Sequence, residues 1–172
     1  MDWSRDGLTA AGLEGFVRFE DLPQASVPQE PGVYVVLRES VAAPEFREMN
    51  PAGWFKGKDP TVAPQVLAGV WVHGSAVMYI GKANAGAKGR RGLRKRLDEF
   101  RQHGVGKPVG HWGGRYVWQL ADSDRLLVAW LRTPDDQAEA REATLISQFV
   151  DDFGALPFGN RKRATIRAHR LP

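Results

Sequence analysis

The 172 residues contain no cysteine, which removes a disulfide framework and any thiolate-ligated zinc site from consideration. No apolar run approaches the length of a membrane span, and Met1-Asp2-Trp3-Ser4-Arg5-Asp6 carries no hydrophobic stretch of signal-peptide length. The expectation is a soluble, cytoplasmic chain that engages no membrane. The glycine-rich turn from Ala83 to Gly89 lacks the Gly-Lys-Ser/Thr ending of a phosphate-cradling nucleotide loop, so a nucleotide triphosphatase is excluded. No internal repeat is visible.

What is present is a polarised charge. Residues 1–60 hold six basic and ten acidic side chains, residues 82–107 nine basic and two acidic, and residues 160–172 five basic and none acidic. A basic stripe of this kind is the footprint of a phosphate backbone, bound through counterion release without readout of bases. A solvated helix face with a basic tail gives the same count, but here the stripe adjoins a strand with aromatic residues.

The length suits one domain, with residues 1–31 as a lead-in, 40–70 as an insertion and 161–172 as a basic tail. Short runs rich in β-branched and aromatic residues predict strands at Gly32–Leu37, Val77–Ile80, 115–120 and 126–131. Leu93, Leu97 and Phe100 recur at helical spacing within 90–103, and Ala138, Arg141, Leu145 and Phe149 do so within 137–150, with Asp135 or Asp136 as N-cap. Trp118 and Trp130 are core candidates. Pro23, Pro28 and Pro31 are expected to keep the lead-in irregular, and Trp54 and Phe55 to anchor the insertion if it packs. The order predicts an α+β layer structure, a small, mainly antiparallel sheet flanked by helices.

Gly32-Val33-Tyr34 and Tyr79-Ile80-Gly81, followed by Gly92-Leu93-Arg94-Lys95-Arg96-Leu97, by Glu142 in a helix and by Asn160 after Pro157-Phe158-Gly159, resemble in order the motifs of the GIY-YIG nuclease family. The resemblance spans residues 32–160. It implies a divalent-metal-dependent endonuclease acting on nucleic acid, with double-stranded DNA the expected partner and Mg²⁺ or Mn²⁺ the cofactor. Cutting both strands with one centre per chain needs a homodimer or sequential nicking.

Phosphodiester hydrolysis needs a deprotonated water and neutralisation of charge growing on the phosphoryl group. Glu142 is the implied metal ligand; a hard cation that keeps most of its waters needs only one or two carboxylates. Arg96 offers a planar fork to a phosphate oxygen, and Lys82 binds the same phosphate or lowers a tyrosine pKa. Tyr79 takes the general-base role and Tyr34 positions water, although a free phenol is a poor base at neutral pH. Asn160, which cannot titrate, fixes backbone around the site or caps a turn. Lys88, Arg90, Arg91, Arg94, Lys95, Arg161, Lys162 and Arg163 are the candidate nucleic-acid contacts. One position departs from the family: four residues after the arginine, many relatives carry His or Tyr, and this chain has Phe100. His103 or His111 could supply the missing acid/base group; without either, the chain would be a nucleic-acid-binding module lacking turnover.

Overall fold

The computed structural model describes residues 1–161. Its centre is a strand, β2 (Gly32–Leu37), in which every residue is buried. Antiparallel neighbours flank it on both sides, β3 (Val77–Ala83) and β4 (Leu127–Arg132), and β1 (Glu14–Arg18) completes a four-stranded sheet of order β1-β4-β2-β3. The helices are α1 (Arg5–Ala10), α2 (Pro64–Gly69), α3 (Leu93–Gly104) and α4 (Asp135–Phe153). This is the expected α+β fold with an antiparallel sheet.

Side-chain alternation along β2 divides the core into two layers. Val33, Val35 and Leu37 join Leu8 of α1 and Leu145, Ile146 and Phe149 of α4 on one face. Tyr34 and Val36 join Leu93, Leu97 and Phe100 of α3, with Trp118 and Trp130, on the other. The Leu93/Leu97/Phe100 stripe is fully buried, so α3 is pinned by its apolar edge while its basic edge faces solvent.

Four expectations are corrected. Residues 115–120 are not a strand: Trp112–Gln119 form a 3-10 helix. The place beside β4 is taken by β1, and Gln119 instead ties the segment to the insertion, its Nε2 donating to the carbonyls of Arg47 (2.9 Å) and Val62 (2.6 Å). The lead-in is correspondingly regular, because all three of its prolines follow the end of β1. Trp54 does not anchor the insertion, being 59% exposed, whereas Asn50, Ala52 and Leu67 are buried. The N-cap position of α4 is Pro134, and the Asp135 carboxylate accepts instead from the Ala85 amide (2.7 Å), tying α4 to the turn after β3.

Candidate active site

The pairing of β2 with β3 sets Tyr34 opposite Gly81 and Val36 opposite Tyr79, so the two tyrosines lie on one face, diagonally related. Their ring centroids are 6.0 Å apart. A Cβ at position 81 would fall 2.6 Å from the Tyr34 hydroxyl and 2.7 Å from Cε1 of Tyr79; only glycine gives both rings this space. Burial raises both phenol pKa values, Tyr79's strongly, while the Arg96 charge pulls each of them down.

Arg96 lies beside the apolar stripe of α3. Its Nη1 donates to the Gly110 carbonyl (3.0 Å) and lies 3.6 Å from Glu99. Lys82, from β3, places its ammonium between two carboxylates of α4, 3.3 Å from Glu142 and 3.4 Å from Glu139. Burial pushes the Glu142 carboxyl upward in pKa and Lys82 pulls it back. Because β3 is the outer strand, side chains from both sheet faces meet at its edge. Tyr34, Tyr79, Lys82, Arg96 and Glu142 thereby line one pocket of about 320 Å³.

Phe100 occupies the core at 0% exposure, and the imidazole of His111 stacks on it, centroids 3.7 Å apart and rings 5° from parallel. The His111 Nε2 reaches the Tyr34 hydroxyl at 3.0 Å. Thus an imidazole from a different segment stands against the Phe100 ring. Burial first, and then Arg96, hold the His111 pKa well below 6.5, so the ring is neutral at neutral pH. His103, also from α3, is buried, has its pKa lowered to about 4 by desolvation, and does not line the pocket. The Arg115 guanidinium stands 4.5 Å from the Trp112 ring centre and 4.9 Å from that of Tyr116.

Asn160 lies outside the pocket lining. Its Oδ1 accepts from the Ile80 amide (2.9 Å) and its Nδ2 donates to the Ile80 carbonyl (2.8 Å). The side chain therefore acts as a short extra strand on the free edge of β3, bracing the backbone between Tyr79 and Gly81. Of the basic candidates, Arg91 borders the pocket and pairs with Glu99 at 2.6 Å. Lys88, Arg90, Arg94 and Lys95 are exposed and, among the described residues, form no ion pair. Arg161 stands 5.7 Å from the Tyr116 ring, extending the Trp112-Arg115-Tyr116 stack. Lys162 and Arg163 lie outside the described residues.

Among the described residues no three His, Asp or Glu side chains gather as a closed metal cage. The donor set nevertheless fits a hard cation: Glu142 is a pocket carboxylate with 15% of its side chain exposed, and Mg²⁺ characteristically takes few protein oxygens and completes its shell with water and substrate. Two contributors, Glu139 and the Gly110 carbonyl, are absent from the candidates drawn from the sequence, and the stacked placement of His111 is a third feature not expected from it. Glu139 precedes Glu142 by one helical turn and so carries a legible i, i+3 signal; the Gly110 carbonyl and the His111 stacking arrangement carry none.

Compared with known proteins, the chain matches no family model, no curated protein and no solved structure.

Proposed function

We propose that the chain is a GIY-YIG-type endonuclease that hydrolyses phosphodiester bonds in DNA with a bound Mg²⁺ or Mn²⁺. The observation that carries this reading is the shared pocket. Four side chains singled out by the motif resemblance, Tyr34, Tyr79, Arg96 and Glu142, together with Lys82 beside the second motif, come from four separate elements and line the same cavity.

The scissile phosphate seats against Arg96, whose remaining N–H groups meet the charge that grows on the non-bridging oxygens. Its Nη1 is already anchored on the Gly110 carbonyl, so little reorientation is needed at the moment of reaction. Glu142 holds the metal, which when bound neutralises charge and acidifies water. Lys82, between Glu139 and Glu142, opposes the burial that favours the neutral form of the Glu142 carboxyl.

The proton leaves through Tyr34. With burial raising its pKa, the phenol does not rest as a phenolate, but a hydroxyl can accept a proton from water while giving its own away. In the Nδ1-protonated tautomer, His111 accepts that proton at Nε2, 3.0 Å away, and because burial and Arg96 disfavour the imidazolium it gives the proton back through Tyr34 to the leaving oxygen. This moves the base role from Tyr79 to Tyr34, leaves Tyr79 to pack and orient, and removes the need for His or Tyr at position 100. Burial keeps both phenols protonated, so water rather than a tyrosinate is the attacking group in this reading and no covalent intermediate forms.

Binding and chemistry separate experimentally. In EDTA, wild type and Glu142→Ala are expected to bind DNA equally, with affinity falling steeply as salt rises. With Mg²⁺ only the wild type cuts. Equal binding with no cutting by either protein would instead identify a nucleic-acid-binding module.

A further inference from the structure

A cleft of about 530 Å³ lies next to the catalytic pocket, between the loop after β1 and the first turns of α3. Its floor and rim differ in chemistry. Leu22, Val27 and Leu97 are buried apolar side chains, whereas Arg90, Arg94 and Lys95 are exposed. The two walls are tied together by the main chain: Leu93 N donates to the Glu30 carbonyl (2.9 Å), Arg94 N to the Pro28 carbonyl (2.8 Å) and Arg94 Nε to the Val27 carbonyl (3.1 Å). The loop thereby satisfies helix N–H groups that have no intrahelical partner. Gly92 permits the contact, since a Cβ there would fall 1.9 Å from the Gln29 carbonyl. This cleft is held open by hydrogen bonds rather than left between loosely packed parts.

It is also continuous with the site. An adjoining cleft of about 580 Å³ shares Val27, Gln29, Arg91 and Arg94 with it, and Arg91 lines the catalytic pocket as well. One basic track therefore runs from Arg96 and Glu142 to Leu22. An apolar floor offers nothing to a sugar-phosphate backbone, and a cationic rim offers nothing to a purely apolar ligand. A nucleotide has both halves, a flat base that gains from leaving water and a phosphate that needs cations, and the volume lies within the range of small-ligand sites.

We propose that this cleft is a nucleoside subsite, which takes one unpaired base of the substrate strand beside the scissile phosphate while Arg94 and Lys95 hold the flanking phosphate. The inference rests on the nuclease reading for the identity of the strand and adds a substrate class: DNA with an unpaired nucleotide next to the cut. Such a nucleotide enters without the unstacking and unpairing energy that a paired base requires.

The test is done in EDTA with the full chain and two oligonucleotide duplexes of matched sequence. One is fully paired; the other carries a single unpaired 2-aminopurine. The unpaired duplex is expected to bind about tenfold more tightly, with a rise in 2-aminopurine emission as the base leaves its neighbours for the aliphatic floor. Gln29→Trp, which fills the cleft from an exposed position, and Lys95→Gln, which removes a rim charge without touching the bonds that join the walls, should each bring the affinity ratio towards one. Equal affinity for both duplexes, or an unchanged ratio in both variants, overturns the subsite. Selective binding without Mg²⁺-dependent cutting upholds the subsite and fails the nuclease reading; cutting without selectivity does the reverse.

Discussion

The Nε2 of His111 lies 3.0 Å from the Tyr34 hydroxyl, and neither side chain has any solvent exposure. The imidazole is held there by its stacking on Phe100. Phenol and imidazole are thus joined across 77 positions of sequence, in surroundings that keep both uncharged at rest.

Replacing His111 by leucine removes the acceptor while retaining an apolar neighbour for Phe100. We expect single-turnover nicking to slow about a hundredfold, the scale of a lost proton-transfer group, with DNA affinity in EDTA retained. A variant that cuts at the wild-type rate would take Tyr34 and His111 out of the proton path.

Arg96→Lys preserves charge and loses the planar fork that reaches Gly110 and the phosphate together. The expected loss in cleavage rate is on the order of 10²–10³-fold, read under single-turnover conditions so that product release does not mask it. A loss confined to affinity would place Arg96 in ground-state binding only.

Asn160→Ala removes both bonds to Ile80, each worth about 1 kcal/mol, so the melting temperature should fall by roughly 4–8 °C. Cleavage should weaken with it, because Tyr79 and Gly81 flank the braced residue. Gly81→Ala acts more directly: the added methyl meets both tyrosine rings, and such overpacking costs about 1–3 kcal/mol. Cleavage by Gly81→Ala at the wild-type rate would show that the ring positions are not critical.

Much of this site is legible in the amino-acid sequence. The strands β2 and β3 stand out as apolar, β-branched runs, and the helical spacing of Leu93, Leu97 and Phe100 places Arg96 at the edge of a buried face. The segment 115–120 misleads because β-branched and aromatic residues suit any buried backbone. Whether Trp118 sits in a strand depends on which distant segment occupies the outer edge of β4, and that segment is Glu14–Arg18. Long-range contacts such as His111 with Tyr34, or Arg96 with Gly110, leave no local periodicity to read. Asn160 is legible as a backbone-fixing residue because an amide does not titrate near neutral pH, leaving hydrogen bonding as its chemistry.

Stability should depend on His103. Its folded pKa, about 4, lies below the ordinary 6.5 because burial disfavours the charged ring, so the unfolded chain binds a proton that the folded chain resists. The contribution is fully present above pH 6.5 and is lost as pH falls toward 4, the same direction as for His111. Urea midpoints measured between pH 7 and 4 should fall less steeply in His103→Leu than in the wild type. Parallel curves would show that the ring titrates normally in the folded state.

The central claim is hydrolysis at the pocket where Arg96 and Glu142 meet the two tyrosines, and nicking of supercoiled plasmid tests it most directly. Wild type and Glu142→Ala are incubated with Mg²⁺ or Mn²⁺, and nicked and linear products are followed over time. The account predicts metal-dependent nicking by the wild type and none by Glu142→Ala. Intact plasmid with wild type, or undiminished cutting by Glu142→Ala, would contradict it.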